Sequence, residues 1–396
     1  MDLLFTQTAY PPSIGGAQAY LHALARELLP RHSLRVSAFW QTNRTDWLLG
    51  TTLSAPGGAP YTLNGVPVFP INLSWGDKTQ ALPWALGYYL WSRPAIEHLA
   101  KRLLPHLRAV SAAPDLIHHG RVGREPLAFA SLALARERQI PFVLTPFHHP
   151  RWKGFAYRHY HWLYRQADAV IALTSAEKST LAQFGVPPER IFITGTGAVL
   201  APNPDPIAFR RRYNLNGPIV LFLGQKYPYK GFEAVLRAAP QVWQTHPQAH
   251  FLFIGPPTRA SRRVFERVTD SRVLELGSLS LADKTAALAA CALLCVPSTQ
   301  ESFGGVYVEA WQLGKPVIGA AIPAVACVVQ DGVDGFLGPA EPSWLAEKIT
   351  TLLDNPALCV KMGQAGRLKA AERYSWPALA RQTETVYRQL TGAKTG

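Results

Sequence analysis

The chain is expected to be an α/β protein made of two doubly wound domains. Short apolar runs alternate with helix-like stretches along most of its length, which implies parallel sheets covered on both faces. At residues 201–206 the sequence Ala-Pro-Asn-Pro-Asp-Pro breaks the alternation with three prolines in six positions, a composition suited to a linker. A length of 396 residues also exceeds what one typical core organises.

In the first half, strands are expected at 3–6, 34–39, 116–118, 142–145, 169–173 and 191–194. Between the first two, Leu21, Leu24, Ala25, Leu28 and Leu29 recur at helical spacing and line one face. Ser13, Gly15 and Gly16 sit where that helix begins, and Pro30 sits where it stops. After the linker, strands are expected at 219–223, 250–254, 273–276, 293–296 and 316–318, with helical patterns between them. The expected division is 1–205 as the N-terminal domain, 206–375 as the C-terminal domain, and 376–396 as a terminal helix crossing back to the first domain.

Hydrophobic residues make up 48% of the chain, enough for two cores. The formal net charge of +14 is spread over both halves, so it is no detachable basic tail. It favours anionic partners: phosphate-bearing substrates, anionic lipid or nucleic acid. Cys291, Cys295, Cys327 and Cys359 form no C-x-x-C pair and lie in apolar surroundings, which predicts buried free thiols. The first residues lack a basic, apolar leader pattern, and no apolar run is long enough to span a bilayer. A cytoplasmic location is the resulting expectation.

The most informative segment is Pro297-Ser-Thr-Gln-Glu301-Ser-Phe-Gly304-Gly305-Val-Tyr-Val-Glu309. It follows the apolar run 293–296, so Glu301 is expected just past the carboxyl end of a strand, where open parallel sheets bind ligands. Gly304 and Gly305 allow close approach of the backbone to a ligand. The following helix would direct free N–H groups and its positive dipole end at the same place, which suits a diphosphate. Glu309 lies within that helix, where a carboxylate accepts two sugar hydroxyls.

Glu301 and Glu309 have seven residues between them, and this resembles the E-x7-E signature of the retaining GT-B glycosyltransferases of family 4. Four further segments resemble that family in order: Tyr10-Pro-Pro-Ser-Ile-Gly-Gly16, Ala167-Asp-Ala-Val-Ile-Ala-Leu-Thr-Ser175, Phe222-Leu-Gly224-Gln-Lys-Tyr-Pro-Tyr-Lys230-Gly231 and Asp331-Gly-Val-Asp-Gly-Phe336. The resemblance implies two Rossmann-like domains with a cleft between them, and a retaining hexosyltransferase of polysaccharide biosynthesis. Its donor is a nucleotide-sugar, and its acceptor an unknown glycan or lipid-linked molecule. It implies ribose contact by Glu309, donor-sugar contact by Glu301 and His148, and a diphosphate met by Lys230. Gly15, Gly16, Gly224, Gln225 and Lys226, with the backbone of Phe303, Gly304, Gly305 and Val306, complete the expected donor site. No cofactor and no metal is expected.

The family usually carries Arg where this chain has Gln225, so the cationic clamp is reduced, and Lys226 follows on the opposite side of an extended backbone. A glutamate common after Pro323 is replaced by Ala324. His118, His119, His148 and His149 stand in two pairs at two strand ends, but no carboxylate or cysteine joins them at metal-ligand spacing. No Asp-x-Asp, G-x-G-x-x-G or G-x-x-x-x-G-K-[ST] occurs. Two rival functions remain: a catalytically silent nucleotide-sugar binder, suggested by Gln225, and a basic nucleic-acid binder, suggested by the charge but lacking any motif. Finally, from Trp47 to Ser92 the only charges are Asp77 and Lys78 amid many aromatics, and Arg151, Lys153, Arg158 and Arg165 interleave with aromatics further on. This pairing suggests peripheral contact with an anionic membrane at its inner face.

Overall fold

Among the described residues all strand pairs but one are parallel, and buried apolar runs such as Ile-Val-Leu-Phe-Leu at 219–223 are what a sheet covered on both faces requires. The computed structural model describes residues 1–13, 15–40, 52–55, 57–122 and 126–392; Ile14 of the glycine loop and Trp47 lie outside these. The chain forms two compact units, Met1–Gly195 with Trp376–Gly396, and Thr196–Ser375.

The first unit contains β1 (Asp2–Ala9), β2 (Ser33–Trp40), β3 (Tyr61–Leu63), β4 (Val66–Pro70), β5 (Leu116–Gly120), β6 (Phe142–Thr145), β7 (Ala169–Ala172) and β8 (Ile191–Ile193). Their order across the sheet is β3-β4-β2-β1-β5-β6-β7-β8. The antiparallel pair β3–β4 was not expected. Its turn is Asn64-Gly65, with φ of 49° and 85°, the positive values that a tight hairpin turn of the Asn-Gly type needs. The chain-closing helix Trp376–Thr391 packs on the helix Gly16–Leu28. There the buried Glu384 carboxylate accepts from Arg31 and Arg388 at 3.1 and 2.7 Å, and Trp376 meets Tyr20 edge-on.

The second unit contains β9 (Ile219–Leu223), β10 (His250–Ile254), β11 (Val273–Leu276), β12 (Leu293–Val296), β13 (Val317–Ala320) and β14 (Gly335–Gly338). Their order is β11-β10-β9-β12-β13-β14, which reverses direction between β9 and β12. In a doubly wound sheet this reversal opens a crevice beyond the carboxyl ends of the two strands. The sequence patterns missed β14, a four-residue strand with glycine at both ends.

Several expectations need correction. Residues 196–205 belong to the second unit, not the first. They are tied to the helix Leu281–Ala290, because Thr285 Oγ1 accepts from the Ala201 N–H at 2.9 Å and Lys284 Nζ donates to the Val199 carbonyl at 2.7 Å. Of the four thiols, Cys291 and Cys295 are buried, but Cys327 is exposed and Cys359 partly so.

Lys226 is the third correction, since it makes no donor-facing surface. Its side chain is fully buried, and Nζ donates to the carbonyls of Gly255 and Leu276 at 2.5 and 2.7 Å and to Glu275 at 2.5 Å. Gln225, one residue earlier, is exposed, as the alternation of an extended backbone demands. Lys226 thus fastens the exit of β9 to the exits of β10 and β11. Burial draws its pKa below the usual lysine value, and Glu275 opposes that shift. Replacing Lys226 with Ala leaves the Gly255 carbonyl without a donor and Glu275 without its cation, and is expected to destabilise the second unit by about 1–3 kcal/mol. A urea transition should move to lower midpoint with unchanged slope; an unmoved midpoint would return Lys226 to the ligand surface.

Candidate active site

The reversal between β9 and β12 brings together the two segments with the most chemistry. The loop after β9 ends in Lys230-Gly231, and the loop after β12 runs from Pro297 to Gly304. The loops are fastened directly: Thr299 N–H donates to the Tyr229 carbonyl at 2.8 Å. Gly231 has φ 81°, and a Cβ there would lie 2.6 Å from the Pro297 carbonyl oxygen, so only glycine permits this approach. In the resulting arrangement the Lys230 ammonium pairs with the Glu301 carboxylate, and both side chains remain partly accessible.

Gly304, at φ 88°, turns the chain into the helix Gly305–Gln312. A left-handed residue at this point lets the helix start directly beside Glu301. The first turn of a helix has N–H groups without helical partners, and these carry its positive dipole end. The helix is held from beneath by the buried Tyr307, whose hydroxyl donates to the Val296 carbonyl at 2.7 Å. Phe303 is buried edge-on against Tyr374, so this residue contributes only its backbone to the surface. The backbone at 303–306 is therefore fixed on both sides.

Glu309 points to a different partner. Lys284 Nζ donates to its carboxylate at 2.7 Å, with both groups partly exposed. Lys284 was not anticipated, since nothing in its Leu-Ala-Asp-Lys-Thr context separates it from a solvated helix lysine. One cation thus faces each of the two signature carboxylates: Lys230 on Glu301 and Lys284 on Glu309. Gly224, at φ 154°, has nothing within 4 Å of where a Cβ would stand, and Gln225 beside it is exposed.

In the first unit the corresponding reversal lies between β1 and β5. Gly15 and Gly16 follow β1, and a Cβ on Gly16 would meet nothing within 4 Å, so its backbone is open to approach. His118 and His119 close β5 but are buried and engaged. His118 hydrogen-bonds Tyr387 Oη at 2.5 Å and Thr145 Oγ1 at 2.7 Å; His119 hydrogen-bonds Thr6 Oγ1 and the Arg121 carbonyl, each at 2.9 Å. Burial lowers their pKa values to about 3 and about 4, so both are neutral at pH 7. Among the described residues, no three His, Cys, Asp or Glu side chains converge as a metal site would require.

His148 departs from expectation. Its ring is only 4% exposed and stands among Trp152, Tyr164 and Phe184, with Nδ1 hydrogen-bonded to the Tyr164 hydroxyl at 3.2 Å. The aromatic side chains at 152–164 enclose it, so it is a packed, neutral imidazole and not an open sugar contact. Burial and the neighbouring His161, His149 and Lys153 hold its pKa near about 4. His149 is the more exposed of the pair. What fixes this loop is Glu177, which sequence analysis missed. Its buried carboxylate accepts from the N–H groups of His148 and Leu173, each at 2.7 Å, joining the exits of β6 and β7.

With this geometry in place, comparison with known proteins is direct. Residues 205–369 match the family Glycosyl transferases group 1, and residues 15–197 match the Glycosyl transferase 4-like domain. The chain is 29% identical over 246 residues to the D-inositol 3-phosphate glycosyltransferase of Corynebacterium efficiens and 32% identical over 212 residues to the phosphatidyl-myo-inositol mannosyltransferase of Mycobacterium tuberculosis. Those matches take in 58% and 50% of this chain and span 58% and 56% of the relatives' lengths. A glycogen synthase of M. tuberculosis is 26% identical over 98% of the chain and 94% of its own length. Among solved structures, the Anabaena protein HepE in complex with UDP and glucose superposes with TM-score 0.73 at 22% identity, over 98% of this chain and all of that one. The sucrose-phosphate synthase of Thermosynechococcus elongatus gives TM-score 0.75 at 21% identity, over 100% of both chains. The fold is therefore GT-B, two Rossmann-like units.

The carboxyl of Glu177 has a measurable signature. Burial pushes it up to about 7 from the ordinary 4.5, although the two N–H bonds pull the other way. Between those pH values the folded state holds a proton that the unfolded chain has lost, so this group's contribution to stability falls as pH rises. Glu177→Gln has no such dependence. Its stability relative to the unaltered protein should rise by about 3 kcal/mol from the lower pH to the higher, the shift multiplied by 1.36 kcal/mol per pH unit. Histidine contributions are common to both proteins and cancel. Parallel stability curves from urea titrations across this range would show that the carboxyl is not desolvated.

Proposed function

We propose that this chain, built from two glycosyltransferase domains, is a retaining enzyme that moves a sugar from a nucleoside-diphosphate sugar to a glycan or lipid-linked acceptor. The observation that carries the reading is the pairing of Lys230 with Glu301 at the β9–β12 reversal, beside the start of the helix Gly305–Gln312. The names of the relatives, all sugar-transferring enzymes, and the UDP held by HepE support the donor class.

In this reading the donor's diphosphate takes the place of Glu301 as the partner of Lys230, and the N–H groups at 304–306 face the phosphate oxygens. Departure of a nucleoside diphosphate gathers negative charge on the leaving oxygen, and a fixed cation and a helix N-terminus stabilise that charge. Glu301, released from Lys230, accepts hydroxyls of the donor sugar. Glu309, braced by Lys284, accepts the ribose hydroxyls. Transfer with retention follows a front-face course. The bond from the anomeric carbon to the phosphate oxygen breaks, the bond to the acceptor oxygen forms on the same face, and the acceptor's proton passes to the departing phosphate. No side chain serves as nucleophile, and no metal is required.

Slow release of nucleoside diphosphate with water as acceptor offers an assay that needs no knowledge of the acceptor. Glu309→Ala should raise the donor KM with little change in kcat, whereas Glu301→Ala should mainly lower kcat. Lys230→Ala should lower kcat by about 10²–10³, the loss typical of one fixed electrostatic stabiliser. Gln225→Arg should partly restore the Lys230 variant, and EDTA should leave the rate unchanged. Nucleotide-sugar binding without any turnover would instead establish a silent binding protein, and loss of activity on chelation would demand a metal.

A further inference from the structure

Among its described residues, the first unit carries an apolar surface that no element covers. In the helix Trp75–Leu86, the outward residues Trp75, Thr79, Gln80, Leu82, Pro83 and Leu86 include no charge. The helix's two charged residues are committed to its inner and terminal contacts. Asp77 closes a capping box with Ser74, and Lys78 Nζ donates to the Ala55 carbonyl at 3.4 Å. The chain then passes through Leu90 and Trp91 before the helix Ser92–Val110 begins. Exposure is 84% for Trp75, 65% for Leu86, 79% for Leu90 and 64% for Trp91. Scattered exposed apolar residues are ordinary, but large ones crowded together, as at Leu86, Leu90 and Trp91, mark an interaction site.

A second segment extends the group. Arg158 donates to Ser92 Oγ at 2.7 Å, and the Arg93 guanidinium lies 4.1 Å from the Trp162 ring centre, so residues 155–162 adjoin residues 90–93. Phe155, 78% exposed, lies under the Arg158 guanidinium at 3.6 Å. Arg151 and Lys153, both exposed, precede it. No acidic residue occurs anywhere from 151 to 165; Glu97, paired with Arg93, is the acid closest in sequence to the Leu90–Arg93 side. The surface is thus apolar at its centre and cationic at its rim.

Its place in the fold is specific. The helix Ser92–Val110 delivers the chain to the start of β5, so the helix's own beginning lies toward the carboxyl edge of the sheet. Phe155 and Arg158 follow the carboxyl end of β6. Ligands of parallel sheets are met along that edge. The helix Arg158–Gln166 buries His159, Tyr160, Leu163 and Tyr164, which anchors the cationic rim to the core and leaves Phe155 outward.

We propose that this surface docks reversibly on an anionic lipid bilayer, with Leu86, Leu90, Trp91 and Phe155 entering the headgroup layer and Arg93, Lys153 and Arg158 facing lipid phosphates. Tryptophan and long apolar side chains favour the interfacial layer. Guanidinium and ammonium groups complement a negatively charged leaflet, and the absence of acids at 151–165 removes the repulsion that would oppose it. Docking by this edge would bring the enzyme to an acceptor carried in the bilayer. That last consequence rests on the proposed glycosyl transfer; the docking surface itself does not.

The test uses the full chain and sedimentation with vesicles of phosphatidylcholine, with and without phosphatidylglycerol. The bound fraction should rise with phosphatidylglycerol and fall as salt is added. Removing cations as Lys153→Ser and Arg158→Ser should lower the partition coefficient about fivefold each. Leu90→Ser with Trp91→Ser should lower it by about tenfold or more. Leu90, Trp91 and Lys153 are exposed, so thermal midpoints of those variants should match the parent; Arg158 is half-buried and bonded to Ser92, so Arg158→Ser is compared well below its own midpoint. Nucleoside-diphosphate release should also be unaltered, which separates a failure of docking from a failure of the proposed transfer. Equal binding to both vesicle types, or binding to neither, would overturn the proposal. So would a dimer in sedimentation velocity that the Leu90/Trp91 variant dissociates, because a second copy would then be the occupant.

Discussion

The close approach of two loops at Gly231 and Pro297 is the constraint on which the second unit's chemistry depends. A side chain at 231 would both clash with the Pro297 carbonyl and require an unfavourable φ. With glycine there, the exits of β9 and β12 touch, and Lys230 reaches Glu301. The same loop from Pro297 leads through Gly304 into the helix Gly305–Gln312, so the cation, the carboxylate and the helix N-terminus are placed by one local fit. An ion pair in this position is also a sensible resting state. Each partner offsets the other's desolvation, and in the proposed function a ligand bearing both phosphate and hydroxyl groups would replace the contact.

Each unit fastens the carboxyl edge of its sheet with a buried ionisable group. In the second unit, Lys226 donates to carbonyls and a carboxylate at the exits of β10 and β11. In the first, Glu177 accepts from N–H groups at the exits of β6 and β7. The signs are opposite but the physics is the same. Strand exits leave backbone groups unpaired by the sheet, and one ionisable side chain satisfies several of them at once. Desolvation opposes the charge in both cases, lowering the lysine's pKa and raising the glutamate's.

The sequence made the alternation and the two-sheet plan legible because each is a local pattern. Apolar runs declared β9, β10 and β12, and the glycines at 304–305 declared the start of the helix. What it concealed depends on tertiary placement. Lys284 and Glu177 look like ordinary helix residues until the fold sets them opposite Glu309 and the His148 backbone. Lys226 looks like a substitute for the missing arginine until the pleat turns it inward. His148 suggests a sugar contact until the aromatic side chains of Trp152, Tyr164 and Phe184, which follow it in the chain, fold back around it. The Asn64-Gly65 turn was locally visible, and its hairpin was passed over because strands of three and five residues carry little periodicity.

What Lys230 does when a nucleotide arrives is answered directly by a crystal structure of the protein with a nucleoside diphosphate. The account predicts the diphosphate within hydrogen-bond reach of Lys230 Nζ and of the N–H groups at 304–306, with the Lys230–Glu301 contact broken. A diphosphate bound elsewhere, with that ion pair intact, would contradict it.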